Sequence, residues 1–134
     1  MKKTTIIIFS VVVIGVLVLF FCLYFALTAP KFAGGFSIND FQKEIENINF
    51  QTENNYGNIH DYKSAANAGK IAIADRFENS DGGIFEWMGC SVQYDSENDA
   101  YYIRTYHLAP LTVGGAFDVI IKSDGTVLAI WGEE

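Results

Sequence analysis

From Ile6 to Leu27 the chain carries no charged residue, and that run decides how much sequence is left to fold. As a helix rising 1.5 Å per residue it is about 33 Å long, against a hydrocarbon thickness of about 30 Å for a bilayer. A secretory leader also begins with lysines and an apolar stretch, but its apolar region is shorter. It ends in a small-x-small cleavage pattern, whereas here Leu27 occupies a position that should be small and Pro30 follows Thr28-Ala29. Phe20-Phe21 ahead of Cys22 likewise disfavour a lipid-modified cysteine. The segment therefore reads as an uncleaved signal anchor, residues 6–28, behind a short tail, residues 1–5. Lys2, Lys3 and the amino group outnumber Lys31 on the far flank, so the positive-inside bias puts the tail in the cytoplasm and the rest outside. Gly15 stands alone and offers no small-xxx-small face for helix pairing.

About a hundred residues remain, enough for one compact domain with its own core and no need of metals or disulfides. Setting Lys2 and Lys3 aside, 7 basic residues face 16 acidic ones, a net of −9. Such a surface repels nucleic acid and favours a basic partner or plain solubility. Cys22 lies in the apolar run and Cys90 in the domain, so the two do not pair; Cys90 reads as a buried thiol acting as a small hydrophobe.

Residues 29–36, with Pro30 and Gly34-Gly35, read as a linker, and residues 37–134 as the domain. Asn39 or Ser37 can cap a first helix whose apolar face is Phe41, Ile45 and Ile48, with Asp40 in its first turn. Asn49 to His60 is polar loop. Asp61 then caps a helix from Tyr62 to Phe77 with the stripe Tyr62, Ala66, Gly69, Ile73 and Phe77, flanked by Ala65, Ala68 and Ala72. So many small residues predict a close approach to a sheet, which accounts for a glycine that costs about 1 kcal/mol against alanine in a helix. After a glycine-rich loop, Ile84 to Tyr94 reads as one or two strands bent near Gly89, with Phe85, Trp87, Cys90 and Val92 as apolar positions.

Ala100 to Leu108 is a strand with Tyr101, Ile103, Thr105 and His107 on one face and Tyr102, Arg104, Tyr106 and Leu108 on the other. Pro110 and Gly114-Gly115 interrupt it, Ala116 to Lys122 alternates again, Ser123-Asp124-Gly125 closes a tight hairpin, and Thr126 to Trp131 returns. Helices ahead of three or four antiparallel strands predict an α+β domain with the helices packed on one face of the sheet.

No catalytic constellation stands out, and the expectation is a protein that is not an enzyme and carries no cofactor. Asp95-Ser96-Glu97-Asn98-Asp99 alternates oxygen ligands as a calcium loop does, but Ala100 and Tyr106 stand where such a loop needs Gly and Glu, so a hairpin turn is expected and no metal. His60 and His107 are too far apart in sequence to define a metal site, and neither glycine pair sits in a phosphate-loop setting. What remains is a binding surface: Tyr102, Arg104 and Tyr106 project together from one strand face, and Tyr and Arg are common interface anchors. Packing against the helices competes for either face. With the acidic turn residues Asp95, Glu97 and Asp99, these three are the candidate partner-binding residues.

The run from Tyr94 to Tyr101, followed by Gly114-Gly115-Ala116-Phe117-Asp118-Val119-Ile120-Ile121-Lys122-Ser123-Asp124-Gly125-Thr126-Val127-Leu128-Ala129-Ile130-Trp131, resembles the carboxy-terminal half of immunity proteins with a nuclear-transport-factor-2-like fold, found beside bacterial polymorphic toxins. The alanine-rich helix around Ile73 resembles that family's preceding helix. Tyr101 stands where the family usually has Trp, and Gly132 where it often has His. The resemblance implies a cone-like α+β fold in which a curved antiparallel sheet wraps a helix, structural roles for Asp95, Gly114, Gly115, Asp124, Gly125 and Trp131, no cofactor, and a role in occluding a toxin, here from a membrane anchor. The alternatives are a small-ligand or enzymatic module with a pocket at the open end of the cone, and an extracytoplasmic inhibitory or peptide-binding domain with a groove along a strand edge.

Overall fold

The computed structural model describes residues 2–47, 55–77, 88–107 and 115–132. Helix α1 runs Lys2–Thr28 and contains, over Thr5–Thr28, one helix long and apolar enough to cross a membrane. Among the described residues none buries that segment, and Phe9, Leu19 and Phe25 stand mostly exposed along it. Only Ala29 and Pro30 separate α1 from β1 (Lys31–Gly35). A single 3-10 turn (Ile38–Phe41) leads into α2 (Gln42–Glu46), and α3 (Tyr62–Arg76) follows. The chain then forms β2 (Met88–Asp95), β3 (Ala100–His107), β4 (Phe117–Lys122) and β5 (Val127–Gly132).

The five strands lie in the order β1-β2-β3-β4-β5. Strands β2 to β5 form an antiparallel meander, in line with the alternation in the sequence. The sheet as a whole is mixed, because β1 pairs in parallel with β2 through Lys31 opposite Ser91 and Phe32 opposite Val92. This corrects the linker reading of residues 29–36. Lys-Phe-Ala-Gly-Gly has poor strand propensity, so the strand owes its existence to the free edge of β2; its register slips between Phe32 and Gly35, where Gly34 adopts φ +101°.

The first helix is shorter than its apolar spacing predicts, a 3-10 turn and five residues of α-helix. Ser37 precedes it, but its side chain makes no capping bond, so little holds a longer helix at this end. Ile48, residues 49–54 of the expected polar loop, the expected glycine-rich loop at 79–83, Phe85, Trp87, Leu108, Pro110 and Gly114 lie outside the described residues. Helix α3 matches its expectation closely. Asp61 and Ser64 form a reciprocal capping box, with Ser64 N–H donating to the Asp61 carboxylate at 2.7 Å.

Helix α3 buries Ala65, Ala66, Ala68, Gly69, Ala72 and Ile73 against Val92, Ile103, Val119, Ile121 and Ile130 of the sheet. Each fully buried Ile or Val there stabilises by about 1.5–3 kcal/mol, so this layer dominates the core. A Cβ on Gly69 would come within 3.2 Å of three atoms of Ile103, which is itself fully buried and cannot give way. Gly69→Ala therefore gains about 1 kcal/mol of helix propensity and loses more, about 2 kcal/mol, to overpacking. A net loss of about 1 kcal/mol in urea unfolding is expected; a stabilised variant would show that the helix does not sit this close.

The other face of the sheet is covered too, which corrects the expectation of helices on one face only. Ala100, Tyr102, Ile120 and Ala129 pack under Phe36, Ile38, Phe41 and Ile45 from the segment that follows β1. The protein is thus a mixed sheet between two unequal helical layers.

Candidate functional site

Tyr102, Arg104 and Tyr106 do project from one face of β3, but that face is not open. Tyr102 is 9% exposed. Its ring lies 4.9 Å from Phe41, 5.7 Å from Phe36 and stacks at 14° on Trp131. Availability as a contact surface is therefore corrected for Tyr102: the short helical segment folds back over it, because Phe36, Ile38, Phe41 and Ile45 need a partner as much as it does. Arg104 and Tyr106 are half-buried. Tyr106 lies against Gly89, where any side chain on β2 would run into its ring.

Beneath this aromatic cover sits a polar pair. The Tyr102 hydroxyl donates to Asp118 Oδ1 at 2.6 Å, and Asp118 is 1% exposed. Arg104 stands directly across from Asp118 on the neighbouring strand, on the same face. Burial first, and then the bond to Asp118, push the Tyr102 hydroxyl well above the ordinary phenol range, with Arg104 opposing the rise. Tyr102 stays protonated at any physiological pH, so this group donates a fixed hydrogen bond. Asp118 was not singled out from the sequence. A lone acid alternating with Ile120 is the available signal, but its partner depends on strand register across residues 108–116.

Asp95 is buried as well, at 4% exposure, so it too is corrected as a surface contact. Its Oδ1 accepts Glu97 N–H at 2.9 Å and Asn98 N–H at 3.2 Å, closing the β2–β3 turn, and its Oδ2 accepts Asn98 Nδ2 at 2.8 Å. The same Oδ2 accepts Ile38 N–H at 2.9 Å across 57 residues of sequence, which ties the covering segment to the sheet. The bond from Ile38 foremost, with Asn98 and Glu97, holds the Asp95 carboxyl below its ordinary value of 3.8. A carboxyl lowered in the folded state contributes stability that is present above its ordinary value and lost as pH falls through the folded value. Unfolding free energy is thus expected to drop below about pH 4, and Asp95→Asn is expected to flatten that drop and to remove about 2 kcal/mol at neutral pH. An acid limb unchanged in Asp95→Asn would contradict the anchoring role.

Glu97 and Asp99 are exposed, as is Asp124 in the β4–β5 turn. Asp99 takes φ +50° and joins the two hairpins: its carboxylate accepts Ser123 Oγ at 2.6 Å and Tyr94 Oη at 2.8 Å. Those two bonds, Ser123 first, keep the Asp99 carboxyl low. Asp124 is held low by Thr126, whose N–H it accepts at 2.9 Å. Exposed acids of both turns therefore share one end of the sheet. Gly115 and Gly125 both have positive φ, at +91° and +88°.

Nearby, Phe32, Asp61, Tyr62, Tyr94 and Tyr101 wall an open cleft of about 320 Å³. No local pattern announces it, since Phe32 falls in the stretch that reads as a linker. Among the described residues no group of three or more His, Cys, Asp or Glu is placed to hold a metal. Cys90 is fully buried in the α3 layer, and burial pushes its thiol up against a smaller opposing pull from Lys70. His107 closes β3 opposite Met88. No protein family, curated protein or solved structure matches the chain.

Proposed function

We propose that the chain is a membrane-anchored binding protein whose acidic domain, outside the cytoplasm, captures a basic protein partner. The observation that carries this reading is an unburied apolar helix running through two residues into a folded domain of opposite character. Among the described residues none buries the Thr5–Thr28 span, and a bilayer is the medium that would. The net charge of −9 outside the tail supports a basic partner. With Tyr102 and Asp95 turned to internal work, Glu97, Asp99 and Asp124 are exposed acids at the turn end that can meet it, although Asp99 and Asp124 also hold their turns together. Complementary charge of this kind mainly speeds encounter and weakens with salt.

The resemblance to immunity proteins makes the partner a toxin and the mechanism occlusion, with the sheet wrapped cone-like around α3. This reading assigns no catalytic step and no cofactor. Its test is protection: cells carrying the full chain should survive expression of a toxin encoded beside it, and the two proteins should co-purify in a salt-sensitive complex. Glu97→Lys should slow association about threefold. No protection and no complex would overturn the proposal.

A further inference from the structure

The junction between α1 and the sheet has no slack. Ala29 N–H still donates to Phe25 O at 3.0 Å, and Lys31 is already paired with Ser91. Three residues separate Thr28 from Phe32, a reach of about 14 Å at most. The start of β1 is thus held close to the level where α1 ends, and α1 itself touches β2.

At that level the domain carries an unusual flank. Phe32 is 58% exposed on the edge strand, and its ring leans on Tyr62 at 6.0 Å. The Lys63 ammonium lies 6.0 Å from the centre of the Tyr62 ring, and Lys31 beside Phe32 is exposed. An exposed Phe is a cost in water, whereas aromatic rings bordered by lysines suit the boundary between headgroups and acyl chains. Lys63 and Lys31, two of the domain's seven basic residues, are the chain neighbours of these rings, and exposed Asp61 also borders the cleft the rings wall.

We propose that Phe32 and Tyr62, bordered by Lys31 and Lys63, form an interfacial anchor that seats the β1–α3 flank on the lipid surface crossed by α1. The inference rests on the membrane-spanning reading of α1. The occupant of this flank is lipid, because the flank continues directly from the end of the spanning helix. Seated this way, the domain stands at a fixed height and cannot swing as a tethered head would.

The test uses the full chain in phosphatidylcholine–phosphatidylglycerol vesicles, with Cys22→Ala removing the exposed thiol and the buried Cys90 left in place. An environment-sensitive maleimide is attached at Phe32→Cys, Lys63→Cys, Gln42→Cys or Phe25→Cys, and quenched by lipids bearing a nitroxide near the headgroup. Gln42 is exposed on α2, which packs by β5, roughly 19 Å across the sheet from β1. Labels at 32 and 63 should be quenched at least twofold more than the label at 42, and Phe32→Glu should relieve quenching at 63. Quenching at 25 with none in excess at 32 or 63 would overturn the anchor and leave the spanning helix intact; no quenching at 25 would overturn both.

Discussion

Asp118→Ala is expected to lower unfolding free energy by about 3 kcal/mol, because it strands buried polar groups beneath an aromatic cover. The Tyr102 hydroxyl would lose its acceptor at 2.6 Å, and Arg104 the charge across from it on β4. Tyr102 sits under Phe36, Phe41 and Trp131 and Asp118 is 1% exposed, so water cannot easily substitute for their bond, while Arg104 is half-buried. Asp118→Asn keeps an acceptor for Tyr102 and should cost less, about 1 kcal/mol. In a double-mutant cycle Tyr102→Phe and Asp118→Ala should couple by about 1 kcal/mol, since each alone breaks the same bond. Urea unfolding of the full chain in micelles reads all three. A neutral Asp118→Ala would mean that the pair is open to water and the face uncovered.

Gly125→Ala is expected to be comparably severe, about 3 kcal/mol, for two separate reasons. An alanine at φ +88° carries about 1–2 kcal/mol of backbone strain. Its Cβ would also be driven into the Gly57 carbonyl oxygen and backbone nitrogen, which do not swing aside as a side chain would. Gly57→Ala is the contrast: φ is +84°, yet nothing lies within 4 Å of its Cβ position, so strain alone applies, about 1 kcal/mol. The loop that Gly125 accommodates is held by Tyr56 N–H to Gly125 O at 3.2 Å and Ile59 N–H to Ser123 O at 2.8 Å. Amide exchange at Tyr56 and Ile59 should therefore accelerate in Gly125→Ala well beyond Gly57→Ala. Equal effects in the two variants would remove the close approach from the account.

These two sites differ in how far they could be read in advance. Ser123-Asp124-Gly125 announces a hairpin because a tight turn needs a glycine and tolerates an aspartate. That the same glycine also admits residues 55–57 is a contact between distant segments, and no local pattern carries it. The alternation in β3 and β4 and the small-residue stripe of α3 were legible for the same reason: each is a periodicity imposed by the element on its own residues. Strand β1 was not, because Lys-Phe-Ala-Gly-Gly becomes a strand only when β2 offers an edge. Nor was the cover over Tyr102. Tyr101 and Tyr102 are both aromatic on opposite faces, so the pattern shows two apolar faces without showing what closes the second. Asp95 looked like a turn residue, and it is one. Its bond to Ile38, which places the cover, spans 57 residues.

The functional reading rests on α1 holding the folded domain on the outer side of a membrane, and labelling of an engineered thiol in intact cells tests that most directly. With Cys22→Ala removing the exposed native thiol and Cys90 buried, a thiol introduced at Glu97, exposed in the β2–β3 turn, reports its own side of the membrane. A membrane-impermeant maleimide is expected to label Glu97→Cys in intact cells, on a chain of full length that stays with the membrane fraction. Labelling only after the cells are broken would place the acidic domain in the cytoplasm, contradict the outward anchor, and move any partner to the other side.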